Sequence, residues 1–302
     1  MSREGVVLKS TGSWYRVLSE GEELDCRLRG KLRLEGFRAT NPVAVGDRVR
    51  IAQAVEEWRI EELLPRKNFL LRRSIKLSKR LHFLACNVDQ MFLMVSLKEP
   101  KTSFEFIDRV LAATEAHGIK CILLLNKTDL LTPEEQVAFT AIYEAAGFEV
   151  LPMSLVQDPP ALQERFNDRV TLLAGHSGVG KSTLVNLIDP KIKAMTGEIS
   201  EYHETGQHTT TFAEMHPLAF GGFLIDTPGI RGFGVIEIDK KSLSHFFPEM
   251  KAVLAHCKFS NCQHSDEPGC AVKDAVELGL IAESRYKSYL NILLEDEDSK
   301  YR

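Results

Sequence analysis

The run Gly175-His176-Ser177-Gly178-Val179-Gly180-Lys181-Ser182 has the residue types and spacing of a phosphate-binding loop. Its glycines let successive backbone N–H groups turn inward around a β-phosphate, Lys181 reaches the β/γ oxygens, and the Ser182 hydroxyl suits Mg²⁺, with Thr183 extending the nucleotide-contacting set. At average composition the four fixed positions match by accident in roughly one chain in a hundred of this length. Here the run follows the apolar segment TLLA and opens a helical pattern, which is where the chemistry needs it. Asp226-Thr227-Pro228-Gly229 ends the apolar segment FLI further along. An Asp and a Gly three apart are common, but downstream of a phosphate loop this pair fits a Mg²⁺-orienting carboxylate and a backbone N–H that senses a γ-phosphate.

Asn126-Lys127-Thr128-Asp129 ends the apolar segment CILLL. A carboxylate at Asp129 accepts two hydrogen bonds from the ring N–H and exocyclic amine of guanine; adenine offers neither donor on that edge, so the pattern selects GTP over ATP. Asn126 holds the base and the adjoining loop, and the Lys127 stem covers the ring face. Ser154, after FEVLPM, stands where loop backbone could read the guanine carbonyl.

Cys257, Cys262 and Cys270 crowd into 14 residues, with His256 and His264 beside them, whereas Cys26, Cys86 and Cys121 are isolated. Three thiolates and one imidazole complete a tetrahedral Zn²⁺ site with no open position, so the expected role is structural. On spacing alone either histidine could be the fourth ligand.

These motifs require elements to hold them. Residues 1–65 read as short alternating strands broken by glycine, a small barrel of the OB-fold kind that commonly binds oligonucleotides. Residues 66–80, RKNFLLRRSIKLSKR, carry seven Lys/Arg and no acid, a basic linker suited to phosphate contact. Residues 81–235 alternate strand and helix, with glycines 118 and 147 closing helical patterns, as in an α/β fold with a mainly parallel sheet. Residues 236–302 read as mostly helical around the cysteines. The 302 residues are 44% hydrophobic and 26% charged, with no apolar run long enough to span a bilayer and no secretory leader pattern, so a cytoplasmic protein that avoids membranes is expected. The net charge of −4 hides a division: residues 1–80 hold 18 Lys/Arg against 11 Asp/Glu (+7), and the remainder holds 20 against 31 (−11).

In Ras-like GTPases the phosphate loop precedes the guanine-reading box, whereas here NKTD comes about fifty residues earlier than GHSGVGKS, a circular permutation. With Gly206-Gln207-His208-Thr209-Thr210-Thr211, DTPG and the cysteine cluster, the whole chain resembles the ribosome small-subunit-dependent GTPases of the RsgA (YjeQ) family. The resemblance implies an N-terminal OB-fold barrel, a permuted P-loop GTPase domain and a C-terminal zinc region. It also implies GTP/GDP, Mg²⁺ and one structural Zn²⁺ as ligands. Family pattern favours His264 over His256. It makes GQHTTT a switch in which one of Thr209, Thr210 and Thr211 binds Mg²⁺ and His208 positions water. That last role matters because Ile230 stands where Ras-like enzymes carry a water-orienting glutamine. The implied function is GTP hydrolysis during late maturation of the 30S subunit, stimulated by that subunit and its rRNA, by a monomer. The rival expectation is a non-enzymatic RNA-binding assembly factor that uses GTP as a conformational ligand.

Overall fold

The computed structural model describes residues 2–28, 42–54, 57–73, 81–159, 161–192, 213–226 and 239–295. Its first five strands are β1 (Ser2–Ser10), β2 (Tyr15–Ser19), β3 (Glu22–Leu28), β4 (Arg48–Ala54) and β5 (Glu57–Leu63). They pair in the order β1-β2-β3-β5-β4 and close back on β1, a five-stranded barrel of OB type. Closure needs one strand to serve two partners: the first half of β1 pairs with β4 and the second half with β2, and the register shifts between Val7 and Lys9. At Gly5, near the start of the β2 pairing, a Cβ would stand 2.5 Å from Val17 Cγ1 and 2.8 Å from the Leu18 carbonyl, so any larger residue would push the strands apart. Alternate positions of β2, including Tyr15 and Val17, point into a core with Val7, Cys26, Val49, Ile51 and Ile60.

Two features join the barrel to the rest. A hairpin of β6 (Phe69–Arg73) and β7 (Leu81–Cys86) leads out of it, tied at its root by Arg66, whose guanidinium grips the buried Asp47 with two bonds of 2.7 Å and lies 3.9 Å over Phe83. Lys67 pairs with Asp89 at 2.9 Å. Arg66 and Lys67 of this segment therefore have acidic partners outside it, and Leu70 and Leu71 are buried. Residues 74–80 lie outside the described residues. The second junction is the pair Lys9 and Glu214, which joins β1 to β12 (Glu214–Pro217) and makes the barrel continuous with the central sheet.

The central sheet also contains β8 (Gln90–Val95), β9 (Lys120–Leu125), β10 (Glu149–Pro152), β11 (Val170–Ala174) and β13 (Phe223–Asp226), in the spatial order β10-β9-β8-β11-β13-β12. All but β12 are parallel, and β8 is buried on both faces, as its unbroken apolar run requires. The chain fills one half (β8 to β10) before the other (β11 to β13), and the halves meet where β8 and β11 pair. That is the permutation expected from motif order: exchanging the halves in sequence leaves every strand's neighbours unchanged. The strand order reverses at this seam, and in open α/β sheets ligands bind beyond the carboxyl ends of strands at such a point. Helix α1 (Phe104–Ala116) is capped by Ser103, and α2 (Pro133–Ala145) by a capping box of Thr132 and Glu135; α3 (Gln163–Phe166) and α4 (Lys181–Ile188) follow. No helix among the described residues is long and apolar enough to cross a membrane.

The C-terminal region is helical, as expected: a 3₁₀ helix over Lys240–Phe246, α5 (Pro248–Lys251), α6 (Ala271–Glu277) and α7 (Glu283–Leu294). It shares its apolar core with Ala112 of α1. At that boundary Arg285 of α7 is 1% exposed, bonded to Asp108 of α1 at 2.7 Å and to both carboxylate oxygens of Glu249 at 2.8 and 3.0 Å.

Candidate nucleotide site and metal centre

The parallel strands deliver their loops to one edge of the sheet. β11 runs into the loop 175–180, and α4 opens at Lys181 with Gly180 as its N-cap. Gly175, Gly178 and Gly180 have φ of 147°, 82° and 113°, all in the region that favours glycine. Space is as restrictive as conformation: a Cβ on Gly180 would meet Asn126 Nδ2 at 2.4 Å.

That contact reflects the centre of the site. Asn126, 3% exposed at the end of β9, donates from Nδ2 to the Val179 carbonyl of the phosphate loop at 2.8 Å, and its Oδ1 accepts from the Leu155 N–H at 3.2 Å. One amide thus ties together three loops that the sequence separates by 53 and 29 residues. Ser154 donates to Asp129 Oδ1 at 2.6 Å and accepts from the Gln157 N–H at 3.2 Å, so its proton is committed to Asp129. The Asp129 side chain is exposed and anchored, able to present a carboxylate to a base. Lys127 takes the left-handed conformation (φ 63°, ψ 38°), and its ammonium bonds the Glu99 carbonyl, which directs the side chain across this edge.

Lys181 bends back over its own loop, donating to the carbonyls of Gly175 and His176 at 2.7 and 2.8 Å. Burial lowers its pKa, and the charge of Asp226 across the loop opposes that shift. Asp226 lies opposite Leu173 on β11, so the two strands bring a carboxylate and the phosphate loop to the same edge. Ser182 and Thr183 are exposed on the first turn of α4. Ser177 and Gly178 are exposed and Val179 is buried. His208, Thr209, Thr210, Thr211, Gly229 and Ile230 lie outside the described residues.

Two contributors carried no sequence signal. Phe106 of α1 packs against the His176 ring, with centroids 3.9 Å apart, and Pro100 would lie 3.4 Å from a Cβ on Gly178. The loop after β8 and the start of α1 therefore wall the phosphate loop from the other side of the seam.

The cysteine cluster is assembled as the sequence requires. The ligand atoms of Cys257, Cys262, His264 and Cys270 lie within 4.8 Å of one another, with His264 Nδ1 3.6 Å from Cys257 Sγ and 3.4 Å from Cys270 Sγ. Bonds of about 2.3 Å to sulfur and 2.0–2.1 Å to nitrogen around a tetrahedral ion give S···N edges of about 3.6 Å, so the donor set and its spacing fit Zn²⁺. His256 is exposed and outside the cluster. The turn that aims His264 inward is a left-handed residue (φ 59°), and Gly269 (φ 69°) supplies the second. Burial lowers the His264 pKa, which favours the neutral ligand form. The loop is pinned from outside by α7: Tyr286 donates to the His264 carbonyl at 2.7 Å and Tyr289 to the Gln263 carbonyl at 2.9 Å.

On the barrel, exposed Trp14 lies under the Arg27 guanidinium at 4.1 Å and lines a cavity of 310 Å³ with Lys9, Thr11, Arg16 and Asp25. Each of these cations has an acidic partner: Lys9 pairs with Glu214, Arg16 with Asp25 and Arg27 with Glu57.

The comparisons with known proteins agree with this layout. The family model described as RsgA GTPase matches residues 63–236, and that of the RsgA N-terminal domain matches 4–57. A Bacteroides thetaiotaomicron protein named small ribosomal subunit biogenesis GTPase RsgA 2 is 47% identical over 99% of this chain and 99% of its own length. A Porphyromonas gingivalis protein named small ribosomal subunit biogenesis GTPase RsgA is 46% identical over the same shares. The crystal structure of YjeQ from Thermotoga maritima superposes with TM-score 0.76 at 32% identity, covering 97% of this chain and 98% of that one. That of YloQ, a circularly permuted GTPase, gives 0.74 at 31%, covering 100% and 97%.

Proposed function

Because this chain belongs to the RsgA GTPase family, we propose that it hydrolyses GTP as a late factor in small ribosomal subunit biogenesis, stimulated by the 30S subunit. The observation that carries the nucleotide reading is the Asn126 amide, bonded at once to the phosphate loop and to the Ser154 loop while Ser154 holds Asp129. The phosphate-loop amides of residues 175–182 take the β-phosphate, Lys181 exchanges its loop carbonyls for β/γ oxygens, and Thr183 lies beside the phosphates. Asp129 reads the guanine edge, with Ser154 orienting it and the Lys127 stem covering the ring. When bound, Mg²⁺ would offset the negative charge on the phosphate oxygens. Ser182, Asp226 and one of Thr209, Thr210 and Thr211 would hold it, and Gly229 would sense the γ-phosphate. Cys257, Cys262, His264 and Cys270 would hold one structural Zn²⁺.

Ile230 cannot hydrogen-bond water, so intrinsic hydrolysis is slow and His208 orients the attacking water once the subunit is bound. GTP turnover with and without purified 30S subunits tests this. The wild type accelerates with subunits, and His208→Ala loses at least about tenfold of the stimulated rate at unchanged GTP affinity. Undiminished stimulation in His208→Ala removes the histidine from the mechanism. A wild type that binds GTP and subunits yet never turns over is instead an assembly factor using GTP as a conformational ligand.

We assign 1–65 to an RNA-binding barrel, 66–80 to a basic connection, 81–235 to the GTPase domain and 236–302 to the zinc region, in a monomeric cytoplasmic protein. The barrel and the basic connection contact rRNA phosphates. Replacing Arg72, Arg73, Lys76 and Lys79 together by alanine weakens subunit binding and lowers the slope of log Kd against log salt by roughly one per lost phosphate contact, with GTP affinity unchanged. An unaltered salt slope would move the RNA contact elsewhere.

A further inference from the structure

A cavity of 430 Å³ opens on the cysteine cluster, with Cys257, Cys262 and His264 forming its floor, and its lining contains no carboxylate. One wall is the 3₁₀ helix, with Lys241 and His245 exposed at the rim and Ser244 buried below them; the other is the loop carrying Phe259, Asn261 and Gln263. Phe259 is 41% exposed, and the Lys258 ammonium stands 5.5 Å over its ring. Among the described residues, Phe259 and Trp14 are the exposed Phe and Trp side chains. Each lines a cavity, and each lies under a cation. The nearby carboxylate of Glu267 is occupied by the N–H groups of Gln263 and Ser265 at 2.8 and 2.9 Å, so it is turned into the loop rather than toward the cavity.

We propose that this cavity takes a single unpaired RNA nucleotide, stacked on Phe259, with its phosphate at Lys241 and its base edge read by Asn261 and Gln263. The inference rests on the reading that the protein works on the rRNA of the small subunit. Volume, aromatic face and amides suit a nucleobase. The floor decides which part of the nucleotide enters. With Zn²⁺ bound, the three cysteine thiolates would leave a net negative centre, so a phosphate would be disfavoured there and belongs at the cationic rim. A base turned inward can donate its amino hydrogens toward thiolate sulfur.

Full-length, zinc-loaded protein tests this with purified 30S subunits and the variants Phe259→Ala, Phe259→Tyr and Phe259→p-benzoylphenylalanine. Phe259→Ala should weaken subunit binding roughly tenfold, the loss typical of one stacked base, while Phe259→Tyr keeps wild-type affinity. Zinc content and GTP affinity stay unchanged in both. The photoreactive variant should crosslink to rRNA. Equal binding by Phe259→Ala and wild type overturns the proposal, and so does a crosslink to a ribosomal protein. A wild type that binds no subunits overturns instead the reading on which the proposal rests.

Discussion

Replacing Arg285 with methionine should cost about 3–5 kcal/mol, among the largest losses available to a single substitution far from the nucleotide. The guanidinium is packed among Tyr143, Phe148 and Phe247, 4.8–5.6 Å from their centroids, and methionine replaces much of that volume. It does not replace the charge. Asp108 is fully buried and Glu249 has a side chain 6% exposed, so both carboxylates would remain in a low-dielectric boundary without their cation. Burial already raises the Asp108 pKa, opposed mainly by the charge of Arg285; without that charge the pKa climbs further. A carboxyl whose folded pKa is raised destabilises most when ionised, so the loss is largest at neutral pH and shrinks as pH falls through the raised value. Urea unfolding at pH 7.5 and 5.5 should give a deficit that is smaller at the lower pH. The effect should also reach the metal loop, because Arg285 sits on the helix whose Tyr286 and Tyr289 pin it. Zinc transfer to a chromogenic chelator should be faster in the variant. Wild-type unfolding and zinc release would show that the ion pairs do not hold this boundary.

Arg285 also marks where the sequence stops being legible. Features written locally could be read: the unbroken apolar run of β8, the glycine stops of α1 and α2, the phosphate loop between a strand and a helix, and four metal ligands within one knuckle. Each depends on residues a few positions apart. Arg285 meets Asp108 across 177 positions, and His176 meets Phe106 across 70, pairings that no spacing rule relates. Asn126 is intermediate. Its motif announced a guanine box, but its bonds to Val179 and Leu155 depend on three loops leaving the same edge of a parallel sheet. Short elements also escaped: β12 is four residues ending in proline, too short for its alternation to show as a period. Charge was legible in sum but not in use, since Arg66 and Lys67 are held by Asp47 and Asp89 instead of offered to phosphate. What could not be read is the long-range pairing that sets domain against domain, and the buried charges of Arg285 and Asp108 lie there.

The change from Asp129 to asparagine should lower GTP affinity by about 10²–10⁴-fold, since two hydrogen bonds to an ionised group are worth roughly 1.5–3 kcal/mol each. The geometry fixes the direction of the replacement amide as well as the loss. Ser154 accepts from the Gln157 N–H, so its own proton must go to the residue at position 129, where it now meets Oδ1 at 2.6 Å. An amide there gives its oxygen to that donor and is left with its NH₂ toward the base. Guanine meets it with two N–H donors, donor against donor, and binding is lost; a purine with a carbonyl in place of the exocyclic amine meets it as an acceptor. Xanthosine triphosphate should therefore gain affinity in Asp129→Asn as GTP loses it. Ser154→Ala, which frees the carboxylate without removing it, should cost GTP only about tenfold and leave xanthosine triphosphate excluded. Competition against a fluorescent guanosine diphosphate separates these outcomes. If Asp129→Asn bound GTP as the wild type does, guanine would be read elsewhere, and the Asn126 bridge would remain as a brace for the phosphate loop alone.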